Sequence, residues 1–419
     1  MQTQFRLLVG IDWATDSHQI CVIDSDRRPL REFSVKATGS GLSQLVDVLN
    51  ELAGGDPATA AVAIEVPRGP IVETLLKHGF PVFAINPKQL DRFRDRHCVA
   101  GAKDDRRDAF VLADSLRTDQ HLFRRVEVDD PLIIQLRELS RIDDDLSSEM
   151  TRLTNRLRNL LQRYYPQILS LGSVAEHRWL WALLKIAPTP LQAKRLRPGR
   201  IEKLLLSHRV RRLQTSDVLA VLRSEPLTVA PGTCEATRMH LQLLLPRIEL
   251  VHLQRKECAK RIDELLDELE LSEKGEEEHR DVEILRSLPG VGRLVAATML
   301  SEATQALTNR DYYNLRAICG AAPVTRQSGK HAYASMRYAC NGRLKNAIYY
   351  WAFTSLRADP LSKAQYAALR ARGHTHGRAL RGVADRLLRI LVAMLTNRSL
   401  YDPLKPRQGS PQPRRLAAD

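Results

Sequence analysis

Leu7-Leu-Val-Gly-Ile-Asp12, Gln19-Ile-Cys-Val-Ile-Asp24 and Arg31-Glu-Phe-Ser-Val-Lys36 follow one another near the start of the chain. Each is a short run built on branched or aromatic residues. The last two flank the tight turn Ser25-Asp-Arg-Arg-Pro29, so the three runs read as consecutive strands. Outward from them, Thr38-Gly-Ser-Gly41 caps a helix from about Leu42 to Leu52, and Ala58-Thr-Ala-Ala-Val-Ala-Ile-Glu65 reads as a buried strand. A helix near Ile71–His78, a strand Pro81-Val-Phe-Ala-Ile-Asn86 and a helix over roughly Arg106–Leu116 complete the pattern. Three strands, then helix, strand, helix, strand and helix is the element order of a ribonuclease-H-like α/β domain, because a plain doubly wound sheet lacks the opening meander.

The remainder reads as all-α. Leu136, Leu139, Ile142, Leu146, Met150, Leu153, Leu157 and Leu160 are spaced by threes and fours, which predicts a long helix with a coiled-coil seam. A second long helix runs from about Met239 to Leu271, with Ile248, Val251, Cys258, Ile262, Leu265 and Leu269 on one stripe. The two predict an antiparallel pair, and their apolar seams predict a second copy of the chain to cover them. Between them lies a Leu- and Arg-rich insert, Val174–Pro231, broken by Pro188, Pro190, Pro198 and Pro226. The expected domains are therefore 1–125, a coiled-coil region 130–275 with a helical insert at about 172–235, a mainly helical domain 281–401, and a mobile tail 402–419.

Composition narrows the function classes. Of 419 residues, 43% are hydrophobic, which supports real cores and excludes global disorder. No apolar stretch approaches a membrane span, and the N-terminus lacks a secretory pattern. Six scattered cysteines without C-x-x-C spacing speak against a disulfide framework or a zinc site, and fit a reducing cytoplasm. The formal net charge is +15, and residues 281–419 alone carry 22 Lys/Arg against 8 Asp/Glu, a net +14. An excess concentrated in this way predicts a nucleic-acid partner bound through its phosphates.

Four carboxylates stand out. Asp12 ends the first strand and Glu65 a later one, and in this topology those strand ends are neighbours. Asp105 and Asp108 in Lys103-Asp-Asp-Arg-Arg-Asp108 share a face at a helix start. Singly, such acids cap turns or oppose a helix dipole. Together they cannot all ionise cheaply without a cation, and their hard oxygens suit Mg²⁺, or Mn²⁺, in phosphoryl transfer. Asp104 competes with Asp105 for the third place, and Asp16 and Asp24 are weaker rivals of Asp12.

In the basic third, Leu288-Pro-Gly-Val-Gly292-Arg293 lies between two helical patterns and reads as a helix-hairpin-helix, whose turn amides at Gly290 and Gly292 suit a phosphate. Farther on, Ser328 precedes Gly329 between Arg326 and Lys330, followed by Arg337, Arg343 and Lys345. All of these basic residues are candidate nucleic-acid contacts.

Gly10-Ile-Asp12, Ile64-Glu65, Lys103-x-Asp105-x-x-Asp108-Ala, Leu288-Pro-Gly-Val-Gly292 and Gly320-x-x-Pro323-x-x-x-x-Ser328-Gly-Lys330 occur in this order. The chain thereby resembles the DEDD transposases of bacterial insertion sequences, relatives of the Piv/MooV invertase and of the bridge-RNA-guided recombinases. The likeness covers about 5–120 and 281–400 and is weakest in the 172–235 insert. It implies a RuvC-like nuclease domain, a coiled-coil dimerisation region and a transposase domain. Carried over by position, Asp12, Glu65, Asp105 and Asp108 are the metal-binding tetrad and Ser328 the nucleophile, while Ser301 and Ser335 do not match. Asp104 stands where the family commonly has Thr. The resemblance also implies donor and target DNA, a structured non-coding guide RNA, a dimer that assembles to a tetramer, and action in the bacterial cytoplasm at the nucleoid. The competing readings are a RuvC-like structure-selective nuclease, with Ser328 an ordinary loop residue, and a non-enzymatic helix-hairpin-helix DNA-binding protein.

Overall fold

The computed structural model describes residues 5–85, 90–94, 104–127, 130–272, 281–328 and 331–403. The chain divides into two compact units, 1–129 and 130–419.

In the first unit, β1 (Leu7–Asp12), β2 (Ser17–Asp24), β3 (Pro29–Lys36), β4 (Ala60–Ile64), β5 (Val82–Ala84) and β6 (Arg124–Arg125) form one sheet in the order β3-β2-β1-β4-β5-β6. The opening meander is antiparallel, and β1, β4 and β5 are parallel neighbours. Strand alternation splits β1 between two cores. Leu7, Val9 and Ile11 pack with residues of α1 (Gly39–Ala53) and α2 (Pro70–Lys77). Leu8 packs on the other face with Ala109, Leu112, Ala113 and Leu116 of α3 (Asp105–Asp119). β4 is buried along its whole length, as a parallel strand covered on both faces must be. The opening meander and the alternation that follows stand as the sequence predicts. The two-residue β6, exposed and made of arginines, carries no apolar alternation and was not anticipated.

Helix α3 sits directly on β1. A Cβ built on Gly10 would lie 1.9 Å from the Ala109 carbonyl oxygen and 2.7 Å from the Ala113 nitrogen. Only glycine permits this approach, which brings the first turn of α3 beside the carboxyl end of β1.

The second unit is organised by α4 (Pro131–Tyr164) and α9 (Thr233–Ser272). Cys258 Sγ donates to the Leu139 carbonyl, Arg255 reaches Asp143, and Arg247 pairs with Glu149. One number rises as the other falls, so the helices are antiparallel, as expected. Between them are α5 (Arg178–Ile186), α6 (Pro190–Lys194), α7 (Pro198–Ser207) and α8 (Thr215–Arg223). These share a core with Leu153–Tyr165 and Leu241–Val251 at one end of the pair, centred on Trp179, Trp181 and Tyr164.

At the other end, Leu136 and Ile262–Leu269 join the core of α10 (Asp281–Ser287), α11 (Arg293–Glu302), α12 (Thr304–Thr308), α13 (Tyr312–Ile318), α14 (Gly342–Ala358), α15 (Pro360–Ala371) and α16 (His376–Asn397). The segments 130–275 and 281–401 thus belong to one compact unit. Strands β7 (Val324–Ser328) and β8 (His331–Ser335) form a hairpin. The tail from 404 onward lies outside the described residues.

The pairing revises one inference. The seams expected to need a second copy are largely covered inside the chain: Met150, Leu153, Leu157 and Leu160 of α4 are buried in the same core as Leu244, Ile248 and Val251 of α9. What α9 leaves to solvent is a different row, Met239, Leu243, Leu250 and Leu253.

Candidate active site and nucleic-acid interface

β1 and β4 run parallel with Ile11 opposite Ile64, so Asp12 and Glu65 occupy the next register position at the strand ends. Alternation from Leu8 and Gly10 puts Asp12 on the face that α3 covers, and Ala61 and Ala63 lead to Glu65 on the same face. Asp108 lies in the first turn of α3 and is only 3% exposed. Asp105, one turn earlier, is exposed. Asp104 has a structural role, since it is the N-cap and its carboxylate accepts from the Arg106 amide. Asp24 likewise closes the β2–β3 turn, accepting from the Asp26 and Arg28 amides, and Asp16 is exposed.

The group that lies among these acids is Arg94, which the sequence reading missed. Its Nε and Nη2 donate to the two carboxylate oxygens of Asp108, each at 2.9 Å. Nη2 is 3.9 Å from a Glu65 oxygen, and Nη1 donates to Asp91 at 2.8 Å. Partial burial works against the guanidinium charge, but the bonds to Asp108 and Asp91 and the field of Glu65 outweigh it and raise the Arg94 pKa.

Among the described residues, no three His, Cys, Asp or Glu side chains are gathered closely enough to hold an ion as they stand. The donor chemistry nevertheless fits a hard divalent cation. The four candidates are all carboxylates, two of them already share one cation, and a carboxylate buried as deeply as Asp108 requires positive charge beside it.

In the second unit, the predicted helix-hairpin-helix is α10, a turn and α11. Gly290 has φ +84°, and a Cβ there would meet the Ser355 amide at 2.6 Å. The turn carbonyls are bound by α14: Trp351 Nε1 donates to Pro289 O at 3.1 Å and Thr354 Oγ1 to Gly290 O at 2.8 Å. Gly292 is the N-cap of α11, and among the described residues nothing lies within 4 Å of where a Cβ would stand.

The candidate basic contacts divide. Arg293 is tied to Asp263 and to the Ala259 carbonyl of α9. Arg343 pairs with Asp144 at 2.5 Å, lies 3.1 Å from Glu302 and donates to Ser140 at 2.9 Å, so it knits α14 to α4 and α11. Arg337 donates weakly to the Ala322 carbonyl at 3.4 Å, and Lys345 is half-buried near Gly320. Ser328 closes β7 opposite His331, and only its backbone and that of Arg326 are described. Lys330 lies outside the described residues.

The sequence reading also passed over exposed aromatics. Tyr349, Tyr350 and Phe353 share one face of α14, with the Arg357 guanidinium 5.7 Å from the Phe353 ring, and Tyr333 and Tyr338 are exposed in and after the hairpin. Rings beside cations suit base stacking. Exposed tyrosines within an apolar helical pattern look in sequence like core positions.

Residues 9–166 match the family model DEDD_Tnp_IS110, described as "Transposase", and residues 282–367 match the model "Transposase IS116/IS110/IS902 family". Over 96% of both chains, the protein is 32% identical to the Streptomyces coelicolor "Mini-circle putative transposase for IS117". The chain belongs to the IS110-type family of DEDD insertion-sequence transposases. To the family relative "Putative transposase y4uE" of Sinorhizobium fredii it is 49% identical over 213 residues, which span 51% of this chain and 59% of that protein. It is also 32% identical to the "Insertion element IS110 uncharacterized 43.6 kDa protein" of S. coelicolor, over 73% of each chain. Membership implies a DNA substrate and dependence on a divalent metal. Among the described residues no helix is long and apolar enough to cross a membrane.

Proposed function

We propose that this transposase cuts and rejoins DNA through a phosphoserine intermediate at Ser328, with Mg²⁺ held by Asp12, Glu65, Asp105 and Asp108. The observation that carries the metal part is the shared cation at Glu65 and Asp108, beside two parallel strand ends and a helix start. A divalent ion there would neutralise the scissile phosphate and the departing oxygen.

The chain's own groups do the rest. The Ser328 hydroxyl forms an Oγ–P bond as the phosphorus–oxygen bond to one DNA strand breaks, and its proton ends on the departing oxygen. Attack by the hydroxyl of another strand reverses the step, so the phosphodiester is rejoined without an external energy source. Arg326 and Lys330, flanking Ser328 in sequence, hold the phosphate. A structured RNA that pairs with donor and target DNA supplies sequence choice, and the protein reads backbone and shape. The proposed recombinase is an oligomer, with the exposed apolar row Met239, Leu243, Leu250 and Leu253 supporting contact with a second copy.

A plasmid recombination assay tests the metal centre. Asp12→Ala, Glu65→Ala and Asp108→Ala should each abolish recombination while nucleic-acid binding persists. Full activity in Asp108→Ala would remove the tetrad from the account.

A further inference from the structure

Arg94 sits where a metal ligand set would have to close. Its guanidinium takes both oxygens of Asp108, lies within 3.9 Å of Glu65, and is steered from behind by the bond to Asp91. Asp108 is nearly fully buried, while Asp91 is largely exposed. A carboxylate has lone pairs enough for both a guanidinium and an ion. Two cations between the same two carboxylates nevertheless repel one another at such distances.

Resting on the metal reading above, we propose that Arg94 is an internal counter-ion that competes with the divalent metal for Asp108 and Glu65. The free protein thus keeps its acidic centre neutralised, and the ion enters as the guanidinium is drawn away. The arrangement also answers a folding problem. Without a cation, Asp108 would be an unpaired buried charge, which is costly, so Arg94 lets the centre fold before any metal arrives. The same contact lowers the apparent metal affinity, because two ligands that exclude one another are reciprocally coupled.

The test is a calorimetric Mn²⁺ titration of the full-length wild type, Arg94→Gln, Asp91→Asn and Asp108→Asn, with thermal melting in EDTA alongside. Arg94→Gln should bind Mn²⁺ about tenfold more tightly than wild type, within the usual range of such couplings. It should also melt at a lower temperature in EDTA and regain that loss with Mn²⁺. Asp91→Asn, which only loosens one bond to the guanidinium, should shift affinity in the same direction by less. Should Arg94→Gln not yield folded protein, Asp91→Asn decides: tighter binding supports the competition and unchanged binding overturns it. Mn²⁺ binding that depends on Asp108 yet is unchanged or weaker in Arg94→Gln overturns the role of Arg94 alone. Absence of Asp108-dependent binding in both wild type and Arg94→Gln overturns the metal reading, and this proposal with it.

Discussion

Gly10 and Ala109 meet backbone to backbone: a Cβ on Gly10 would lie 1.9 Å from the Ala109 carbonyl oxygen. The contact fixes the height of α3 over β1 and therefore the distance from Asp108 to the strand end bearing Asp12. Gly10→Ala should push the helix off the sheet, cost at least about 1–3 kcal/mol in urea unfolding, and remove recombination. Gly39, where a Cβ meets nothing within 4 Å among the described residues, is the control. Gly39→Ala should change stability by less than about 0.5 kcal/mol. Equal effects of the two substitutions would contradict the close packing.

Arg343 should behave as a structural cation. It faces Glu302, a carboxylate whose side chain is 8% exposed and which also takes Arg141 and the Asn341 amide. Arg343→Ala weakens that network and should destabilise the protein by about 1–3 kcal/mol. The salt dependence of DNA binding should stay unchanged. A salt slope shallower by about one unit would instead make Arg343 a phosphate contact.

Tyr350 is 61% exposed beside Tyr349 on α14. If bases stack on this face, Tyr350→Ala should weaken single-stranded nucleic-acid binding by about 1–3 kcal/mol with little change in salt slope. Fluorescence anisotropy over a salt series separates the two quantities. Unaltered affinity would exclude this face from the interface.

His18 is 3% exposed, its Nδ1 has no hydrogen-bond partner among the described residues, and burial lowers its pKa from 6.5. Its stabilisation is therefore complete above pH 6.5. As pH falls through 6.5, the unfolded chain takes up a proton that the folded chain resists, so stability declines. His18→Phe, which fills the site without a titrating group, should flatten the melting temperature between pH 5 and about 6.5. An unchanged profile would mean that other groups set the acid limit.

The sheet was legible because its strands obey period two and are punctuated by turns: Leu7–Asp12 and Gln19–Asp24 reappear almost residue for residue in β1 and β2. The positions of Asp12, Glu65 and Asp108 at strand ends and in a helix start were legible, because the element order alone places them there. Arg94 was not, because nothing in Asp91-Arg-Phe-Arg94 marks one arginine over its neighbour until the fold brings Asp108 beside it. The seam of α4 was legible as apolar, but spacing cannot tell a covering helix in the same chain from one in another. The fate of Arg293 and Arg343 was hidden for a similar reason: a charge count records cations without recording which are already paired across tertiary contacts.

If Ser328 joins covalently to a DNA strand, denaturing electrophoresis of full-length protein with labelled target DNA, RNA and Mg²⁺ will reveal the joined species. The wild type should give a protease-sensitive protein–DNA adduct. Ser328→Ala should give none while still binding RNA. An adduct that persists in Ser328→Ala would place the nucleophile elsewhere, with Ser335 and Tyr333 next to be replaced. DNA cutting that persists in Ser328→Ala with no adduct would make the protein a metal-dependent nuclease instead.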